Sequence, residues 1–158
     1  MPVDIIRDTG RFSELCEGWA SLPFIAIDTE FVRTNTFYPK IGLLQIADHL
    51  KCYLVDPLSI QDWSCFTNLL ANPGCTFVIH SCSEDLNLLN TTLGQIPLRI
   101  FDTQIAAAFL GLGYSISYQA LVAKLLSIDL PKDETRSDWL SRPLSETQLL
   151  YAANDACY

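Results

Sequence analysis

The sequence predicts an α/β domain, a mixed sheet of about five strands flanked by helices. Three observations lead there. Apolar runs bounded by turn residues crowd the first half of the chain. Helix-period patterns with capping signatures dominate the second half. The length, 158 residues, suits one domain with one core, read here as residues 1–158.

Residues 23–31 (PFIAIDTEF) form an apolar run that ends in acids, the pattern of a buried strand. Residues 41–48 (IGLLQIAD) and 51–57 (KCYLVDP) read as two more strands joined by a tight polar turn at 48–51. Residues 62–70 look helical, and 76–80 (TFVIH) is a short β-branched and aromatic strand. Ser81-x-x-Glu84 reads as a capping box opening a helix that Gly94 stops. Residues 103–110 and 117–126 are further helices, 127–143 is polar, and Ser145-x-x-Gln148 is a second capping box opening a helix to the end of the sequence.

Composition excludes several classes. Hydrophobic residues make up 49% and charged residues 18%, which rules out disorder, collagen and coiled coil. The formal net charge of −8 excludes a purely electrostatic nucleic-acid binder, which would be basic. The six cysteines contain no CxxC spacing and read as free thiols of a reducing cytosol. The start lacks the apolar core of a secretory signal and no run of 18 apolar residues occurs, so the expectation is a cytoplasmic protein with no membrane partner.

The acids carry the chemistry. Asp28 and Glu30 stand two apart at a strand end, so both side chains share a face and repel each other unless a proton or cation intervenes. Asp85 falls within the apolar arc of its helix, close to the helix start, where the dipole also favours an acid. Tyr151 and Asp155 are an i,i+4 pair, off the arc occupied by Leu149, Leu150, Ala152, Ala153, Ala156 and Cys157. Each feature alone also fits a solvated face or a simple dipole effect. Together, four converging carboxylates would be tolerable only around bound cations. All-oxygen ligands favour hard ions such as Mg²⁺ or Mn²⁺, and two such ions about 3.5–4 Å apart suit in-line displacement at phosphorus.

Asp28-Thr29-Glu30-Phe31, His80-Ser81-Cys82-Ser83-Glu84-Asp85 and Tyr151-Ala152-Ala153-Asn154-Asp155 resemble, in order, the three motifs of the DEDD 3′–5′ exonucleases. The tyrosine four residues before the last aspartate is similar to the DEDDy branch. Within it, residues 28–48, 83–89 (SEDLNLL), 101–111 (FDTQIAAAFLG) and 136–156 resemble ribonuclease D. Members of that family usually continue into helical C-terminal RNA-binding domains, and residues 1–158 contain none.

The resemblance implies a ribonuclease H-like fold and a metal-dependent 3′–5′ exoribonuclease. Such an enzyme releases nucleoside 5′-monophosphates from RNA with a free 3′ end, as in tRNA precursor trimming. It also implies that Asp28, Glu30, Asp85 and Asp155 hold two divalent ions and that Tyr151 orients or deprotonates the attacking water. A phenol with its usual pKa near 10 makes positioning the safer role. Arg33, Lys40, Lys132 and Arg136 are candidate phosphate contacts, and Phe37 and Tyr38, between Arg33 and Lys40, are candidate stacking platforms for unpaired bases. Asp102 reads as a helix cap or structural acid, Trp139 as a core anchor, and Gln45 and His80 as packing or supporting residues. No obligate protein partner is implied. The alternatives are a DNA 3′–5′ exonuclease of the same fold and a non-catalytic RNA-binding domain.

Overall fold

The computed structural model describes residues 2–33, 38–131 and 137–158. The chain runs β1 (Val3–Ile6), α1 (Thr9–Trp19), β2 (Phe24–Val32), β3 (Lys40–Ala47), β4 (Cys52–Val55), α2 (Ser64–Leu70), β5 (Thr76–Ile79), α3 (Ser83–Leu93), β6 (Ile100–Asp102), α4 (Thr103–Phe109), α5 (Tyr118–Leu126) and α6 (Glu146–Cys157). The strands form one sheet in the order β1-β4-β3-β2-β5-β6. β2, β3 and β4 pair antiparallel, while β1 with β4, β2 with β5 and β5 with β6 pair parallel, so the sheet is mixed as expected.

Alternation along the strands sends side chains into two cores. Ile25 and Ile27 of β2, Leu44 and Ile46 of β3 and Phe77 of β5 pack with Phe12 and Trp19 of α1, Phe66 of α2 and Leu89 of α3. On the other face Leu43, Leu54 and Cys52 pack beneath Ala152, Ala153 and Ala156 of α6. Those alanines are 0–7% exposed and carry no bulk, which lets α6 lie flat on the sheet. Trp139, 1% exposed, fills the same layer as the expected core anchor.

Several local expectations are corrected. The sheet has six strands rather than about five, and β1, β6 and α1 carry no strong sequence signal: the two edge strands have 4 and 3 residues, too few to show a period. Ser81 does not cap α3. The N-cap is Cys82, without a side-chain bond, and Ser81 lies in the left-handed region at φ 59°. The arc drawn for the last helix is also shifted, because Leu150 is 60% exposed whereas Tyr151 is 7% exposed and packs near Trp139. Tertiary packing against Trp139 decides which side of α6 is buried. The Ser145 box forms with both bonds, Asp102 caps α4 through Gln104 and Ile105, and all six cysteines are unbridged. The 48–51 turn is closed by Asp48, which accepts from the N–H groups of Leu50 and Lys51.

A clamp ties residues 139–142 to the sheet. The register between β2 and β3 slips at Glu30/Phe31, where Gly42 is the extra residue of a bulge. A Cβ on Gly42 would stand 2.6 Å from both the backbone oxygen and the Cβ of Trp139, so only glycine admits this approach. Arg142 donates to the Gly42 carbonyl at 2.7 Å, to the Trp139 carbonyl at 2.8 Å and to both oxygens of buried Asp56 at 2.7 and 2.9 Å. Burial works to raise the Asp56 carboxyl, but the guanidinium overrides it and holds the group below its usual range.

A depressed folded-state pKa contributes stability above the unfolded value near 3.9 and loses it as pH falls through the folded value. Arg142→Ala is therefore expected to lower unfolding free energy at pH 7 by about 2–3 kcal/mol. The deficit should shrink below about pH 4 as Asp56 protonates. Urea melts at both pH values check this, and an equal deficit at pH 7 and pH 3 would show that the ion pair is not its source.

Candidate active site

The middle strand brings the first two acids forward. Asp28 and Glu30 share the face of β2 that looks toward α6, and the register with β3 slips just after Glu30. From α6, one turn beyond Tyr151, Asp155 reaches the same place. Carboxylate oxygens of Asp28, Glu30 and Asp155 all lie within 4.8 Å of one another, a grouping that could hold a metal ion. Asp85, in the first turn of α3, lines the same cleft from the side and accepts a hydrogen bond from the Thr29 hydroxyl. The cleft measures about 400 Å³ and is walled by both acidic strand residues, Ser81, Ser83, Glu84, Tyr118, Gln119 and Tyr151.

Electrostatically the cleft is strained. Burial, followed by the charges of Asp85, Glu30 and Asp155, drives the Asp28 carboxyl well above its ordinary range. Burial and the charges of Asp155 and Asp85 push Glu30 up to about 8. Burial also lifts Asp85 and Asp155 to about 6 each, against hydrogen bonds from Thr29 and Tyr151 that work the other way. Among the described residues no lysine or arginine pairs with any of the four acids. Gln45, fully buried in β3, gives Asp28 a long hydrogen bond of 3.5 Å, and its own oxygen meets no partner among the described residues.

The phenol of Tyr151 faces Asp155. Burial and the neighbouring Asp155 charge raise it above the usual phenol range, so it stays protonated as a donor. His80 is occupied elsewhere: its two ring nitrogens meet the Thr103 hydroxyl at 2.9 Å and the Ile116 carbonyl at 3.0 Å, and burial keeps it neutral. That leaves no ring nitrogen for proton transfer in the cleft, consistent with a packing role. Tyr118 was not anticipated. It donates to the Asn154 carbonyl and accepts from the Tyr158 N–H, both at 3.1 Å, and so ties α5 to the end of α6. A lone tyrosine at a helix start offers no sequence signal, whereas Gln45, a polar residue inside a run of buried strand residues, does.

The expected nucleic-acid contacts are only partly described. Arg33 sits at the cleft rim, 3.8 Å from Glu84 and with its guanidinium 5.9 Å from the Phe31 ring centre. Tyr38 is exposed just before β3, and Lys40 is the exposed first residue of that strand. Phe37, Lys132 and Arg136 lie outside the described residues.

A mixed sheet that gathers acids from three separate elements into one cleft defines a ribonuclease H-like domain of the nuclease class. The chain belongs to the 3′–5′ exonuclease family, whose model matches residues 3–158. It is 50% identical over 150 residues to ribonuclease D of Pseudomonas paraeruginosa, covering 95% of this chain and 40% of that protein. To ribonuclease D of Escherichia coli it is 42% identical over 158 residues, covering 100% and 42%. The crystal structure of the E. coli enzyme, described as an exoribonuclease involved in structured RNA processing, superposes with a TM-score of 0.95 at 42% identity over 99% of this chain and 42% of that one. The catalytic core of RRP6 from Trypanosoma brucei shares the fold, with a TM-score of 0.92 at 23% identity over 98% and 43%. The chain thus spans about two-fifths of the length of these relatives. No helix among the described residues is long and apolar enough to cross a membrane.

The raised acids make a signed prediction. Each binds its proton more tightly folded than unfolded, where carboxyls titrate near 4. Between about pH 4 and pH 8 the folded state holds the extra protons, so metal-free stability falls as pH rises through that window. Calorimetry of EDTA-treated protein should show a melting temperature that declines from pH 5 to pH 8. Glu30→Gln should flatten the upper part of that decline, and an unchanged slope would show that Glu30 is not coupled to the cluster.

Proposed function

We propose that this chain is the catalytic domain of a metal-dependent 3′–5′ exoribonuclease that removes nucleoside 5′-monophosphates from RNA with a free 3′ end, tRNA precursors among the candidate substrates. The observation that carries the reading is the meeting of Asp28, Glu30 and Asp155 within 4.8 Å, with Asp85 in the same cleft and no cationic side chain among the described residues to neutralise them. The donor set fits hard divalent cations: it is all oxygen, it is negatively charged, and burial together with neighbouring acids already strains it toward accepting protons.

In this reading Asp28, Glu30, Asp85 and Asp155 hold two Mg²⁺ or Mn²⁺ ions. Ions held there would acidify a water toward neutral pH and offset the charge on the departing 3′-oxygen. The chain's own groups do the rest. Tyr151, a protonated phenol leaning on Asp155, is suited to orient a water through its oxygen and not to act as the base. The Thr29 hydroxyl fixes one oxygen of Asp85, and the Gln45 amide leans on one oxygen of Asp28, which restricts how each carboxylate can turn. The cleft has the size for one terminal nucleotide, which favours an unpaired end. Arg33 is placed to meet a phosphate at the rim, since its exposed pair with Glu84 is weak and exchangeable.

The purified protein is expected to shorten a 3′-labelled single-stranded RNA in Mn²⁺ or Mg²⁺, releasing labelled mononucleotide, and EDTA should stop it. Asp28→Asn should slow turnover on the order of 10³-fold, and Tyr151→Phe on the order of 10²-fold. A matched DNA strand in the same assay measures sugar preference. Wild-type protein with fresh metal that shortens no RNA end would sink the proposal.

A further inference from the structure

Asp102 ends β6 and takes no part in the acid cluster, yet its carboxylate touches two separate turns. Its Oδ1 accepts the N–H groups of Gln104 at 2.8 Å and Ile105 at 3.2 Å, which is all that capping α4 requires. The same oxygen also accepts the N–H of Ser81 at 3.2 Å, and Oδ2 accepts the N–H of Cys82 at 2.9 Å. These two residues lie across the parallel β5–β6 pair, where Ile79 is the register partner of Asp102. They form the entry to α3. Ser81 is held at φ 59°, a region that a residue with a Cβ enters only when its surroundings impose it. Ser81 itself walls the cleft, and Asp85 follows within the first turn of the helix that this entry aims.

We infer that Asp102 is a positioning residue for the exonuclease site: by gripping the Ser81 and Cys82 N–H groups it sets where α3 begins, and so where the Asp85 carboxylate meets Thr29 and the cluster. The inference rests on the functional reading above. Burial opposes ionisation of Asp102, but the N–H bonds outweigh it and hold the carboxyl below its usual range, so the acceptor is charged at neutral pH.

The geometry offers a variant that separates capping from positioning. In Asp102→Asn, Oδ1 can remain on Gln104, Ile105 and Ser81, while the amide NH₂ replaces the oxygen facing the Cys82 N–H. Asp102→Ser, which keeps a capping hydroxyl for α4 but lacks the second oxygen, is the companion variant. Mn²⁺ titration calorimetry and steady-state RNA degradation are measured on both. The expected result is Mn²⁺ affinity and kcat each lower by roughly 10–100-fold, with KM for RNA within about threefold. Asp8→Ala, which removes the cap of α1 and touches no residue that walls the cleft, should lower the melting temperature and leave both quantities unchanged. Wild-type Mn²⁺ affinity and kcat in the Asp102 variants would reduce Asp102 to a cap and overturn the inference. If wild-type protein binds Mn²⁺ but shortens neither RNA nor DNA, the functional reading fails, and the comparison of Mn²⁺ affinities still decides the role of Asp102.

Discussion

Like charges held together out of water govern this structure. Asp28, Glu30 and Asp155 crowd within 4.8 Å and Asp85 stands beside them; burial raises all four, and the charges of the neighbouring acids raise Asp28 and Glu30 further. A fold built only for stability would put a lysine among them or replace them with apolar side chains. Here the described residues supply hydroxyl, amide and phenol hydrogen bonds to individual carboxylates and no positive charge. The unbalanced charge is what makes a divalent cation the natural complement of the cleft in a protein of net charge −8.

The rest of the fold keeps those groups from escaping one another. β2 lies between β3 and β5: β5 anchors its first half up to Ala26, and β3 pairs with Asp28 and Glu30 themselves. Gly42 lets the Trp139 backbone approach β3, and Arg142 fastens that segment to buried Asp56. Trp139 in turn packs near Tyr151, in the layer where the alanine face of α6 lies on the sheet, with Asp155 one turn beyond Tyr151. A local slip at the bulge, at the Arg142 clamp or at the entry to α3 would move an acid without touching it.

The acids, the tyrosine and the strand-helix grammar could be read from the sequence because they depend on short spacings. Two residues on a strand share a face, four on a helix share a face, and Ser145-x-x-Gln148 closes its own box. Ser81-x-x-Glu84 failed for a reason the same grammar cannot contain: the N–H of Ser81 is claimed by Asp102, 21 residues away, and the turn becomes left-handed. At Leu150 and Tyr151 the exposed side of α6 departs from its local pattern for a similar cause, since Trp139 decides which side is covered.

By itself the sequence determined the α/β class, the central strands and the four acids and tyrosine of the cleft, because each rests on local period and residue chemistry. Tertiary structure alone decided the strand order, the two short edge strands, the bulge at Gly42 and the grip of Asp102 on the entry to α3. Those features arise from backbone groups that meet across long sequence separations. A backbone N–H or carbonyl is the same in every residue other than proline, so its distant partner leaves no mark on the residue that bears it.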